Sequence, residues 1–188
     1  MQRSKNDELR EFDEEAARAF AFETLKPYFY IYEEVWLRSQ IEERFRIDAV
    51  AVCSIETYLI GLEFKRSHLK MSEFSDALRQ SINYRDAIID DPRFPSINEK
   101  RVHACFVFPD WDGVHEDGSQ LYKKEAFGMK VLANHFRVGV LSRTQRKDSC
   151  SFVLGNQGVW HSSSGWTQAA KGLMQGKRKR GSGTKRFD

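Results

Sequence analysis

The chain has 188 residues, 40% of them hydrophobic and 30% charged, with fourteen Phe and four Trp, enough for one globular domain with a substantial core. No run approaches the ~18 uninterrupted apolar residues of a membrane span, and the opening MQRSKNDELREFDEE has no apolar signal-peptide core, so a soluble, cytoplasmic protein is expected. The net charge of +3 is uneven: residues 166–188 hold seven basic residues against one acidic, a net +6 that leaves −3 for the first 165, and a basic end on a mildly acidic body points to a polyanionic partner.

Residues 6–26 carry Leu9, Phe12, Ala16, Phe20 and Leu25 at helical spacing, and Pro27 ends the run. Residues 28–40 are dense in aromatic and β-branched side chains, which favour a strand. Two more strands follow, FRIDAVAV (45–52) after the charged turn Glu42–Glu43–Arg44, and YLIGLEFKRS (58–67). The three read as an antiparallel meander. Residues 72–90 predict a helix, with Ser72 as N-cap and Phe74, Leu78, Ile82, Ala87 and Ile89 as its apolar positions, before Pro92 and Pro95. A buried strand (101–109), the acidic loop from Asp110, a helix (123–136) and a strand (137–144) come next. A last strand pair, 149–155 and 158–164, turns at Gly155–Asn156–Gln157–Gly158. The expected fold is α/β, a mixed central sheet whose antiparallel meander gives way to parallel strands, flanked by helices. Residues 1–171 are expected to form this domain and 172–188 a disordered basic tail.

Cys53, Cys105 and Cys150 lie far apart with no CxxC pair, which disfavours a zinc ribbon or iron–sulfur cluster and predicts three buried or half-buried thiols. The five histidines form no metal-spacing pair, and no Gly-rich phosphate loop or GxSxG elbow is present. The loop Asp110–Trp111–Asp112–Gly113, with His115, Glu116 and Asp117, lacks the ligand alternation of an EF-hand and reads as solvated.

Two acidic residues interrupt otherwise apolar strands: Asp48 in Arg46–Ile47–Asp48–Ala49–Val50 and Glu63 in Leu62–Glu63–Phe64–Lys65. Strand alternation projects Glu63 and Lys65 together and turns Leu62 and Phe64 into the core. If the two strands are neighbours, Asp48 lies beside Glu63 at about 5 Å. Two carboxylates and one ammonium in an apolar sheet leave a negative charge uncompensated, which a hard, oxygen-seeking Mg²⁺ would neutralise. The plain alternative is a strand-edge Asp48 and an exposed Glu63–Lys65 pair.

An Asp in one strand and an ExK in the next, here Asp48, then fourteen residues, then Glu63–Phe64–Lys65, resembles the signature of the PD-(D/E)xK nucleases. Gln80–Ser81–Ile82–Asn83–Tyr84 in the following helix resembles the QxxxY motif of their RecB-like branch, and its spacing puts Gln80 and Tyr84 on one helix face. Ile47 stands where the name-giving proline would be. The resemblance covers about residues 8–144 and implies a restriction-endonuclease-like fold and a metal-dependent nuclease cutting DNA. It implies Asp48, Glu63 and the Phe64 carbonyl as ligands of Mg²⁺, with Mn²⁺ as a substitute. Lys65 would be the catalytic lysine and Gln80 and Tyr84 would support it. Glu15, Glu23 and Glu34 are candidates for a further acidic ligand. Arg66, His68, Lys70, Arg79 and Arg85 could form a basic rim for the nucleic-acid backbone, and Lys177, Arg178, Lys179 and Arg180 would add salt-sensitive affinity. The small size suits a repair, recombination or phage-type accessory enzyme, and an exonuclease, a nickase and a junction resolvase fit equally. Several enzymes of this kind are homo-oligomers. The rival expectation is a catalytically silent nucleic-acid-binding or inhibitory protein on the same scaffold.

Overall fold

The computed structural model describes residues 13–53, 58–67, 69–110, 120–143, 149–168 and 170. The tail 172–188 and the loop 111–119 lie outside them, as do His68, Lys177, Arg178, Lys179 and Arg180.

Helix α1 (Glu14–Leu25) starts where the Asp13 carboxylate accepts the Ala16 N–H at 2.7 Å, and Glu14 and Glu15 sit favourably at the positive end of its dipole. Asp13→Ala is expected to cost about 1 kcal/mol, read as a lower urea midpoint with an unchanged slope. The helix lays Ala17, Ala21, Phe22 and Leu25 on one face of the sheet. Strands β1 (Phe29–Arg38), β2 (Arg44–Cys53) and β3 (Leu59–Phe64) then form the expected antiparallel meander.

Helix α2 (Met71–Asp86) departs from expectation at both ends. Its N-cap is Lys70 rather than Ser72, because the Glu73 carboxylate reaches back to accept the Lys70 N–H at 2.7 Å. It stops at Asp86, and Ile88–Ile89, which the helical pattern had absorbed, forms strand β4 against Leu37–Arg38 of β1. The β-branched pair finds a sheet edge there, so tertiary pairing overrides helical period.

Strand β5 (Ala104–Phe108), helix α3 (Gln120–Asn134) and strand β6 (Val138–Arg143) complete the crossovers, and β3–β5 and β5–β6 pair in parallel. Strands β7 (Cys150–Leu154) and β8 (Gln157–His161) form a hairpin whose turn carries Gly155 at φ +60°, a conformation glycine adopts freely. A two-residue strand β9 (Gly165–Trp166), not foreseen, ends the sheet. The order β4-β1-β2-β3-β5-β6-β7-β8-β9 is one mixed α/β sheet.

Two cores result. On one face α1 meets Leu62, Phe64, Phe106 and Phe108, and the sheet curls until Phe29 of β1 packs edge-on against Phe152 and Trp160. On the other, α2 and α3 cover Ile47, Val50, Cys105, Val107 and Val140. All three cysteines are free and buried. No helix among the described residues is long and apolar enough to cross a membrane.

Candidate active site

The meander changes face where the two acidic strand positions meet. In β1 Phe29 and Ile31 pack in the α1 core, whereas Val35 and Leu37 pack in the α2 core. In β2 Ala49 and Ala51 belong to the first core and Ile47 to the second. Between them stand Glu34 and Asp48, flanked by the pairs Glu33↔Ala49 and Val35↔Ile47. Glu34 has φ +54°, a left-handed conformation that costs a non-glycine residue about 1–3 kcal/mol. That reversal lets the Asp48 side chain sit between the cores rather than in either.

Asp48 and Glu63 lie near enough for the charge of Asp48 to act on the Glu63 carboxyl. The β2–β3 register ends at Ala49↔Leu62, one residue short of Asp48 and Glu63, and Asp48 Oδ2 accepts the Phe64 N–H at 2.7 Å. Gly61 assists: a Cβ there would lie 2.7 Å from both Cys105 Sγ and Ile47 Cδ1, so both side chains would have to shift to admit one. Glu63 is buried, and Lys65 Nζ reaches its Oε1 at 2.5 Å. The other oxygen, Oε2, is buried with no hydrogen-bond partner. Burial pushes the Glu63 carboxyl up to about 7 from its usual 4.5; the Asp48 charge adds to the rise, while Lys65 and then the Tyr84 hydroxyl oppose it. For Lys65 burial pulls downward, but the hydrogen bond and charge of Glu63, helped by Asp48 and Glu14, raise its pKa overall. The exposed-pair alternative therefore fails on burial, since Glu63 is only 2% exposed.

Tyr84 lies beside the same cluster, and the exposed Gln80 reaches it only through Tyr84. Gln80 Nε2 donates to the Tyr84 hydroxyl oxygen, which leaves the Tyr84 proton free to face Glu63. Tyr84 is itself buried. Burial first, then the charges of Glu63 and Asp48, raise its pKa far above the ordinary phenol value, so it stays a donor. Its hydroxyl is close enough to the Glu63 carboxylate for each group to shift the other, although no donor meets hydrogen-bond geometry at Oε2.

The chain matches no protein-family model, no curated protein and no solved structure.

Around the cluster some expectations shift. Of the acidic candidates, Glu15 and Glu23 are exposed, and the first-helix acid whose charge reaches Lys65 is Glu14, a residue that helical spacing alone does not single out. Glu34 stands beside Asp48 but is held in ion pairs with Arg18 at 3.1 Å and Arg46 at 2.7 Å. Arg18, also missed in the sequence, spans Glu34 and Asp48, at 3.6 Å from the latter. Of the basic residues, Lys70 is exposed, while Arg66 pairs with Glu73 and Arg79 with Asp76 at the surface. Arg85 turns inward instead, donating from Nε to the His103 carbonyl at 3.0 Å. It does not join a surface rim.

Among the described residues no three His, Cys, Asp or Glu side chains are grouped to hold a metal. What the site offers is two carboxylates, one with an unpartnered buried oxygen, beside the Phe64 main chain. That set does not suit zinc, which takes three or four nitrogen, sulfur or carboxylate ligands. It fits Mg²⁺, which is usually held by one or two carboxylates and keeps several waters.

Proposed function

We propose that this protein is a Mg²⁺-dependent nuclease that hydrolyses DNA phosphodiester bonds, on a sheet of the restriction-endonuclease-like class. The observation that carries the reading is the buried Glu63 carboxylate, with one oxygen unpartnered, held beside Asp48 and Lys65. A structural ion pair has no use for the unpartnered oxygen or for the second carboxylate, since each costs desolvation or repulsion. The core order also agrees with that class, an antiparallel β1-β2-β3 leading into parallel β3-β5-β6.

Asp48, Glu63 and the Phe64 carbonyl would hold the ion. When bound, the ion would shield the charge of the scissile phosphate and acidify a water. Lys65, which holds Glu63 Oε1, would orient the water that attacks phosphorus and steady the charge that develops there. Cleavage leaves a 5′-phosphate, by resemblance to the nucleases named above. Tyr84 and Gln80 are positioning residues: the Gln80 amide fixes the phenol, and the phenol aims at Glu63. Tyr84→Phe is expected to lower activity about 10-fold and to raise the Mg²⁺ concentration for half-maximal rate, in line with the about 10–100-fold cost of losing a group that orients a metal ligand.

The test is to incubate the protein with supercoiled, linear, single-stranded and branched DNA, with Mg²⁺ or with EDTA. Cutting that requires the metal supports the enzyme. Binding without cutting in Mg²⁺ and in Mn²⁺ contradicts it and favours a catalytically silent DNA-binding protein.

A further inference from the structure

Beside the Tyr84 ring lies a cleft of about 480 Å³ between α2 and the turn joining β1 to β2. Its size is that of a small-ligand site, which runs to about 300–1,000 Å³. The half-buried Phe45 ring is the aromatic part of its wall, backed by the buried Tyr84 ring at a centroid distance of 5.6 Å. The lip carries Ile41, which is 75% exposed. This lip is built, because Ser39 Oγ accepts the N–H groups of Ile41 at 3.3 Å and Glu43 at 3.1 Å. An apolar side chain presented to water by a braced turn, with the Phe45 ring in the same cleft, suits a flat, stacking ligand. The charged residues of the lining are Glu43 and Asp86, and no Lys or Arg lines it among the described residues. A phosphate would be repelled there. A base bearing an exocyclic amine would instead find acceptors in these carboxylates and in the exposed amide of Asn83.

We infer that this cleft seats one unpaired, amino-bearing nucleobase of a single-stranded DNA substrate. The inference rests on the nuclease reading for the place of the phosphate. Tyr84 joins the two sites, its hydroxyl beside Glu63 and its ring packed behind Phe45 at the floor of the cleft. A base inside a duplex cannot enter without leaving its stack, and that cost is least for a strand already single. Cytosine, adenine and guanine carry the amine and thymine does not.

Fluorescence anisotropy in EDTA, at one fixed salt concentration, tests this with short labelled dC and dT oligonucleotides and a blunt duplex. Stacking on aromatic side chains is worth about 1–3 kcal/mol per base, so the dC strand is expected to bind about tenfold tighter than the duplex, with dT between them. Ile41→Ser, at a surface position that does not endanger the fold, should weaken dC binding about threefold to fivefold and leave the duplex unchanged. Equal binding of duplex and single strand overturns the inference, as does a dC affinity that Ile41→Ser does not alter. Equal binding of dC and dT overturns the part assigned to Glu43 and Asp86. The assay contains no metal, so its failure leaves Mg²⁺-dependent cleavage standing, and intact base preferences without cleavage in Mg²⁺ would sink the nuclease reading alone.

Discussion

Asp48→Asn is expected to lower the rate of DNA cleavage by about 10³-fold or more without unfolding the protein. Metal-centred charge stabilisation is worth several kcal/mol in a phosphoryl transfer, and about 4 kcal/mol corresponds to about 10³ in rate. The asparagine oxygen can still accept the Phe64 N–H that Asp48 Oδ2 holds at 2.7 Å, so the backbone contact survives. The loss of the 3.6 Å contact with Arg18 is small, because both side chains are partly exposed. Removing the Asp48 charge also relieves a repulsion that raises the Glu63 pKa. Single-turnover cleavage beside a thermal melt separates the two effects: the rate should collapse while the melting temperature holds or rises. A variant that cuts like the wild type would remove Asp48 from the chemistry.

Glu63→Gln should make the metal-free protein more stable above neutral pH, by roughly 3 kcal/mol at most. The folded chain keeps the Glu63 proton up to about pH 7, whereas an ordinary carboxyl releases it near 4.5. Between those values the unfolded chain binds fewer protons, so wild-type stability falls as pH rises through the window and stays low above it. Glutamine does not titrate and keeps the shape. Lys65 loses its partner in this variant, but it is 26% exposed and retains Asp48 and Glu14 nearby. Urea midpoints should therefore diverge at pH 8 and converge towards pH 4.5. A variant less stable than wild type at pH 8 would mean that the Glu63–Lys65 pair is a structural brace, not a site held ready for a cation. The expected trade is stability for function, the same carboxylate that weakens the fold being the one that would bind the ion.

Much of this arrangement is legible in the sequence because it depends on local period. Alternation along Leu62–Glu63–Phe64–Lys65 separates core from site, and the four-residue interval of Gln80 and Tyr84 places both on one helix face. The meander and the parallel crossovers follow from element order. What escapes has tertiary causes. Glu34 takes a left-handed conformation without the glycine that would announce it, and that reversal decides which way Asp48 faces. Ile88–Ile89 continues a helical pattern until a sheet edge captures it. Arg18 and Glu14 reach the site only because α1 crosses β3, and Arg85 leaves the surface for a carbonyl in the loop before β5. No one-dimensional spacing records such crossings.

The carboxylates of Asp48 and Glu63 are expected to share one hard cation. Titration with Mn²⁺, followed by its electron paramagnetic resonance signal at pH 8, tests it without any DNA. One ion bound by the wild type, with affinity at least about tenfold weaker in both Asp48→Asn and Glu63→Gln, is the predicted result. A wild type that binds no ion, or variants that bind it as tightly, would contradict the account.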